Sequence, residues 1–323
     1  FKQKTAYEIM PSLVGSEMCI RDRFHIHGIV GLLLSSLFSG GGIFTSTGFN
    51  ALKFFSWLKV FSPTWYSAVP TMHQVILSRA DRNSEIIAMT KLRFIRSSSA
   101  PLPSATMKEI EKTFNCPVIE SYGMTEASHQ MTSNHLPPGN RKAMKVGFAA
   151  GPEVSVMDGA HNILEKEKIG EIVIKGNNVT KGYLNNFQAN KDSFVDGWFR
   201  TGDQGFYDEE GFLQITGRIK EIINKGGEKI SPLEIDDAIM KHESVFQGIT
   251  FPIVHNKLGE EVAAAVVLKD DHQLTEQALK EFLSKILASY KIPQTIVFLD
   301  EIPKGKTGKL QRIGLAKKLG LEK

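Results

Sequence analysis

The sequence predicts an α/β protein that carries a β-rich subdomain and ends in a small α+β unit, and three observations predict it. Short apolar runs of buried-strand type, Leu92 to Ile95 and Val118 to Ser121, each pass into a polar loop. Such loops at strand ends are where α/β sheets bind ligands. Residues 146 to 217 are rich in short alternating strands with glycine turns, among them Gly170 to Ile174 and Gly211 to Ile215. Past Arg218 the pattern becomes that of a compact α+β unit. With 323 residues the chain is longer than one hydrophobic core usually grows, so two domains are expected.

Taken in order, Gly28 to Phe38 reads as a buried helix, because it is about half the roughly 20 residues of a membrane span. Residues 49 to 90 mix helix and strand, with Trp65 to Val69 a strand ended by Pro70. A serine turn, Ser97 to Pro101, precedes a helix beginning near Pro103. Lys225-Gly226-Gly227-Glu228 reads as a tight hairpin whose glycines take positive φ. Ser231-Pro232-Leu233-Glu234 is a capping box with proline at the first helical position, so a helix should run to about Lys241. Leu279, Phe282, Leu283, Ile286, Leu287 and Tyr290 share one helical face before Pro293 stops it.

Composition narrows the function classes. The net charge is +4 and the basic residues are scattered, which argues against a nucleic-acid surface and mildly favours anionic substrates. Cys19 and Cys116 are the two cysteines and form no CxxC pair, so neither a disulfide framework nor a zinc site follows. An intracellular setting is expected, the cytoplasm in preference, since Leu319 to Lys323 is not a Ser-Lys-Leu address and no secretory progression opens the chain. No membrane span is expected. Oligomeric state leaves no mark on the sequence.

Four motifs carry the chemistry: Ser121-Tyr122-Gly123-Met124-Thr125-Glu126, Thr201-Gly202-Asp203, Gly217-Arg218-Ile219-Lys220 and Pro303-Lys304-Gly305-Lys306-Thr307-Gly308-Lys309. The string Gly305-Lys306-Thr307 is not a P-loop, because Asp300 stands where the first glycine is required. In this order the four resemble the nucleotide-handling motifs of the adenylate-forming superfamily, which includes acyl-CoA synthetases, firefly luciferase and the adenylation domains of peptide synthetases. The resemblance implies the C-terminal part of a large adenylate-forming domain, of mixed sheets with helices and a β-rich subdomain, followed by a small mobile α+β domain. The corresponding division is a doubtful or foreign segment over 1–23, a partial large domain over 24–218 and a small C-terminal domain over 219–323.

The resemblance also implies an AMP-forming acid–thiol ligase whose co-substrates are ATP, Mg2+ and coenzyme A, and it assigns roles residue by residue. Tyr122, with Gly123, lies near adenine, Thr125 meets phosphate and Glu126 holds magnesium; otherwise they form a strand, a glycine turn and a Thr-capped helix. Ser98, Ser99, Ala100 and Pro101 match a small-residue loop that lets adenine approach the backbone, or form a solvated serine turn. Asp203 accepts from the ribose hydroxyls, or is an Asx-turn residue. Arg218 approaches ribose and phosphate, or makes a boundary salt bridge. Lys220 is the interdomain hinge, and the Gly226-Gly227 turn passes close to the pantetheine arm of CoA. Lys309 bridges the acyl carboxylate and α-phosphate, or belongs to a solvated basic loop.

Within the family the segments Phe24 to Gly28, Thr64 to Gln74, Met124 to Asn134 and Asn177 to Tyr183 look closest to oxalate–CoA ligases and related peroxisomal-type CoA synthetases. A second carboxylate needs a polar partner, and His27 or His129 could supply it, unless either is a core histidine. Medium- or long-chain fatty acids, aryl acids and a carrier protein are the alternative acceptors or substrates. The family's glycine-, serine- and threonine-rich phosphate loop has no counterpart in residues 1 to 23, where Cys19-Ile20-Arg21-Asp22-Arg23 replaces an apolar strand. The expectation is therefore an N-terminally truncated fragment, about the C-terminal two-thirds of an enzyme, that turns over ATP poorly by itself.

Overall fold

A computed structural model describes residues 16–19, 25–46, 48–304 and 310–322. The chain forms two compact units. The first holds the described residues up to Leu102 with 106–201 and 205–215, and the second holds 103–105, 202–204 and 216–322.

The first unit is built on a seven-stranded sheet of β1 (Ser16–Cys19), β2 (Gly42–Thr45), β3 (Trp65–Ala68), β4 (Phe94–Ser98), β5 (Val118–Met124), β6 (His129–Ser133) and β7 (Phe148–Ala149), in the order β2-β1-β3-β4-β5-β6-β7. The strands from β2 to β5 are parallel, whereas β5, β6 and β7 pair antiparallel. Parallel strands are covered on both faces, and the residues alternate accordingly. Tyr66, Ile95 and Val118 point into a core shared with α3 (Ala51–Phe61), α4 (Pro70–Leu77) and α6 (Ser104–Phe114). Their neighbours Trp65, Phe94 and Ile119 pack with Leu32 on the other face.

That other face is covered by a continuous helical stretch of α1 (Ile26–Gly28), a π-helical segment (Ile29–Leu34) and α2 (Ser35–Phe38). The expectation of a buried helix needs correction here. His27, Gly28, Gly31 and Leu32 are buried, but Leu34, Leu37 and Phe38 are more than half exposed. Apolar composition without a polar face therefore overstated the burial of its second half. The short helix α5 (Ser84–Met89) lies between α4 and β4 in the chain.

A five-stranded sheet follows, of β8 (Glu153–Met157), β9 (Gly170–Lys175), β10 (Phe194–Val195), β11 (Trp198–Tyr207) and β12 (Leu213–Arg218), with α7 (Phe187–Ser193) before β10.

In the second unit, β13 (Ile223–Lys225), β14 (Glu228–Ile230), β15 (Val245–His255), β16 (Gly259–Leu268) and β17 (Thr295–Phe298) make another five-stranded sheet. Helices α8 (Pro232–Ile239) and α9 (Glu276–Ser284) pack on one face through Ile235, Ile239, Leu279 and Leu283. The short α10 (Leu315–Lys318) contributes Leu315 and Ala316 to the core on the other. The Ser231 hydroxyl accepts from the Glu234 amide at 3.4 Å, the N-cap half of the expected capping box, whereas the Glu234 carboxylate accepts from Lys291 Nζ at 2.7 Å instead of turning back to Ser231; α8 ends at Ile239 rather than Lys241. Helix α9 stops at Ser284, so Ile286, Leu287 and Tyr290 do not continue it. Tyr290 lies in a separate 3-10 turn, Ser289–Lys291, and Ile286 and Tyr290 are exposed.

Candidate active site

At the carboxyl ends of β3, β4 and β5 the residues two beyond Trp65, Phe94 and Ile119 are polar: Ser67, Arg96 and Ser121. The pleat places them on the same sheet face, below the π-helical segment. Arg96 is buried and spreads over that face. Nε donates to Ser121 Oγ at 3.1 Å, Nη1 to the Gly31 carbonyl at 3.2 Å, and Nη2 to His129 Nε2 at 3.1 Å and Gln130 Oε1 at 2.8 Å. These partners are neutral, and among the described residues no carboxylate forms a salt bridge with Arg96. Burial lowers its pKa to about 10, which leaves it cationic at neutral pH. A buried charge balanced only by dipoles is costly in a folded core.

The two histidines singled out in the sequence meet here, although 102 residues apart. Their rings stack with centroids 5.2 Å apart and planes 13° apart. His27 Nε2 lies 2.7 Å from Ser67 Oγ, and Nδ1 lies 3.0 Å from Ser99 Oγ. Because a guanidinium only donates, His129 Nε2 must accept from Arg96, so this imidazole is neutral with its proton on Nδ1.

Two glycines permit the arrangement. A Cβ on Gly123 would stand 1.5 Å from the His129 carbonyl oxygen, and one on Gly31 would stand 2.4 Å from the His129 ring. His129 itself has φ of 91°, an uncommon value for a residue with a side chain, and such outliers concentrate at functional sites. The π-helical segment carrying Gly31 belongs to the same pattern. Arg96 was missed in the sequence. Its signal was a lone cation inside the run Phe94-Ile95-Arg96-Ser97-Ser98, in phase with Phe94.

Tyr122, Gly123, Thr125 and Glu126 lie on the hairpin that joins β5 to β6. The Thr-capped helix of the alternative reading does not form; Thr125–Ala127 is a single 3-10 turn with no side-chain cap. Thr125 is exposed, while Tyr122 is part-buried against Ala127, Met131 and Phe199. The turn is clamped by residues 178–183. The Thr180 amide donates to the Glu126 carbonyl at 2.7 Å, and Asn178 Nδ2 donates to the Ala127 carbonyl at 2.9 Å. The Ser128 hydroxyl donates to the Asn178 carbonyl at 3.0 Å, and the Tyr183 hydroxyl donates to Glu126 Oε1 at 2.9 Å. Burial, then the hydrogen bond to Glu126 and its charge, raises the Tyr183 phenol above its ordinary pKa.

Among the described residues no group of three or more His, Cys, Asp or Glu side chains could hold a metal. A magnesium ion bound with a nucleotide needs only one or two carboxylates beside the phosphates, so Glu126 with Thr125 fits its hard-oxygen chemistry. In the serine loop, Ser98 Oγ donates to the Ser121 carbonyl at 2.9 Å, Ser99 has φ of 75° and meets His27, and Ala100 and Pro101 follow.

The remaining predicted residues belong to the second unit. Asp203 accepts from Arg218 Nε at 3.2 Å, with side chains 9% and 62% exposed respectively. Lys220 is exposed in the 3-10 turn Ile219–Glu221. Gly226 and Gly227 have φ of 60° and 96° and join Lys225 to Glu228 in a two-residue hairpin, as their sequence required. Lys309 lies outside the described residues.

Near it in sequence, Arg312 donates from Nε to Glu221 at 3.1 Å and from Nη2 to Asp236 at 2.7 Å, and Nη1 donates to the Thr250 carbonyl. Burial lowers its pKa, but the charges of Asp236 and Glu221 outweigh this and raise it.

Residues 11–184 match the AMP-binding enzyme family and residues 234–309 match the AMP-binding enzyme C-terminal domain. The chain belongs to the AMP-binding enzyme family. It is 46% identical over 291 residues to the oxalate–CoA ligase of Saccharomyces cerevisiae, covering 90% of this chain and 53% of that protein. To the oxalate–CoA ligase of Arabidopsis thaliana it is 43% identical over 312 residues, covering 96% and 60%. The chain thus spans between half and two-thirds of the length of these relatives. Among solved structures, ATP-bound MatB from Rhodopseudomonas palustris superposes with a TM-score of 0.87 at 30% identity, covering 94% of this chain and 60% of that one. Among the described residues no helix is long and apolar enough to cross a membrane.

Proposed function

We propose that this chain belongs to an AMP-forming carboxylate–CoA ligase acting on a short dicarboxylate, with oxalate the preferred substrate. The observation that carries the choice of acid is Arg96, a buried guanidinium met by neutral groups, with His129 and His27 stacked beside it. The distal carboxylate of a diacid supplies the missing negative charge; the chain of a fatty acid, or an aryl ring, brings none. The oxalate–CoA ligases of yeast and Arabidopsis among the relatives support the same reading.

In the reaction, a carboxylate oxygen attacks the α-phosphorus of ATP and pyrophosphate leaves, giving the acyl-adenylate. The thiol of CoA then attacks the acyl carbon and AMP leaves. Tyr122, Gly123 and the loop Ser98 to Pro101 take the adenine, Asp203 and Arg218 the ribose, and Thr125 the phosphate. Glu126 holds magnesium, which when bound neutralises phosphate charge. Lys309 stabilises the charge developing on the α-phosphate. Lys220 serves as hinge between a domain of residues 24–218 and a small domain of 219–323, whose Gly226-Gly227 turn meets the pantetheine arm. Use of ATP and CoA makes the setting intracellular.

The test is ATP–pyrophosphate exchange by the full-length enzyme with oxalate, malonate, hexanoate and benzoate. Exchange strongest with oxalate is expected, and hexanoate or benzoate outperforming both diacids would overturn the choice.

A further inference from the structure

In sequence the segment Asn177 to Tyr183 is distinguished only by its likeness to particular CoA ligases. In the structure it is the platform under the Thr125–Ala127 turn, and its last residue reaches the Glu126 carboxylate. We propose that Tyr183, locked in place by Asn190, is a positioning residue that presents the Glu126 carboxylate to the nucleotide's cation. This rests on the reading of Glu126 as the cation-holding residue.

The geometry makes a two-step brace. Asn190, on α7, accepts from the Tyr183 amide with Oδ1 at 2.6 Å and donates with Nδ2 to the Tyr183 carbonyl at 2.9 Å. One side-chain amide thereby satisfies both polar groups of one backbone residue. A Cβ on Gly182 would lie 3.0 Å from Asn190 Oδ1, so the glycine keeps the approach open.

The Tyr183 ring leans on Phe199, whose own side chain is buried, and its hydroxyl ends 2.9 Å from Glu126 Oε1. Glu126 is carried by a single 3-10 turn, not a long helix, so its backbone alone restricts the carboxylate little. The phenol occupies one of about four lone-pair positions of that carboxylate and leaves the rest for a cation. Outer partners of this kind orient the ligand and commonly change metal affinity by about 10–100-fold when removed.

The experiment uses the full-length enzyme with α,β-methylene ATP and no carboxylate, so that no turnover occurs. Free Mn2+ is followed by electron paramagnetic resonance as it is titrated in, and melting temperatures are recorded alongside. Glu126→Gln should weaken Mn2+ binding most, and Tyr183→Phe should weaken it about 10-fold with little change in melting. The double variant should be no weaker than Glu126→Gln alone, because the phenol acts through that carboxylate. Asn190→Ala should shift affinity in the same direction by less. Wild-type Mn2+ affinity in Tyr183→Phe, or additive losses in the double variant, would overturn the proposal. If Tyr183→Phe is too unstable to titrate, Asn190→Ala decides, and unchanged affinity there also overturns it. Unchanged binding in Glu126→Gln would instead sink the underlying assignment of Glu126.

Discussion

Arg96 donates to His129 Nε2 across 3.1 Å, and this contact fixes what the imidazole can do. With Nε2 used as an acceptor, the proton sits on Nδ1, and His129 can donate from that nitrogen without carrying charge. A permanent cation and a neutral donor side by side suit a small, fully ionised anion better than two cations would, since like charges buried together repel.

Replacing His129 by alanine should therefore raise the KM for oxalate in the full-length enzyme while leaving that for ATP nearly unchanged. Loss of one buried hydrogen-bond partner costs roughly 1–3 kcal/mol, or about 5- to 150-fold. Steady-state kinetics with oxalate and hexanoate measures it. An equal loss with both acids would show that His129 merely holds the fold.

Gly31→Ala should reproduce that phenotype from the opposite side of the site. The added methyl carbon would lie 2.4 Å from the His129 ring and 3.1 Å from Arg96 Nη1, so the ring, the guanidinium or the π-helical segment must shift. Overpacking of this kind costs about 1–3 kcal/mol, to be read by chemical denaturation. Unchanged stability and unchanged oxalate kinetics together would show that the region is soft enough to absorb the methyl group.

The two half-reactions should separate under two substitutions. Lys309→Ala should cripple adenylate formation by removing positive charge from the phosphate transition state, yet largely spare thioester formation from supplied acyl-adenylate. Lys220→Pro should do the reverse, because a fixed φ restricts rotation at the proposed hinge. Pyrophosphate release and thioester yield are the two readouts, with folding checked by melting. Equal slowing of both by Lys309→Ala would refute the proposed alternation of domains.

Acid should destabilise the first unit through His73. Burial pushes its pKa from 6.5 down to about 3, and its Nδ1 lies 3.4 Å from the Tyr66 hydroxyl. The unfolded chain binds a proton below pH 6.5 that the folded chain refuses until about 3. Stability is therefore complete above the upper value and falls as pH drops through the window, by up to about 1.4 kcal/mol per pH unit. Between pH 7 and pH 5 the loss should approach roughly 2 kcal/mol, and His73→Gln should abolish most of it. Urea denaturation at both pH values measures the difference, and identical losses in variant and parent would rule His73 out.

Local signals transferred faithfully from sequence to structure. The Gly226-Gly227 hairpin and the Ser231 N-cap each depend on residues within four positions of one another, so dihedral preference and hydrogen-bond capacity decide them. The apolar spacing that ran on through Tyr290 misled, because periodicity records only that a side chain suits a core. Leu287 does reach the core, but from a turn beyond Ser284, and Ile286 is exposed. The cluster of His27, Gly31, Arg96 and His129 was half legible. Its members come from three separate segments, the helical stretch, β4 and β6, and no spacing rule brings an arginine of one strand beneath a histidine of the next hairpin. The pairing of β4 with β5, and of β5 with β6, does that.

The β5–β6 hairpin, in which Gly123 lies against the His129 carbonyl, also works as a ruler. Tyr122 on one limb is read as touching the base, Thr125 at the bend the phosphate and His129 on the other limb the acid, so the ends of the adenylate would be gauged by one short piece of chain. Met124 faces His129 in the pairing register, and the Gly123 contact leaves no room for an insertion without parting the strands. An acid longer by one or two carbons would thus have to be accommodated by retreat of the helical segment above, at Gly31. Divergence in chain-length preference among relatives should concentrate there and spare the hairpin.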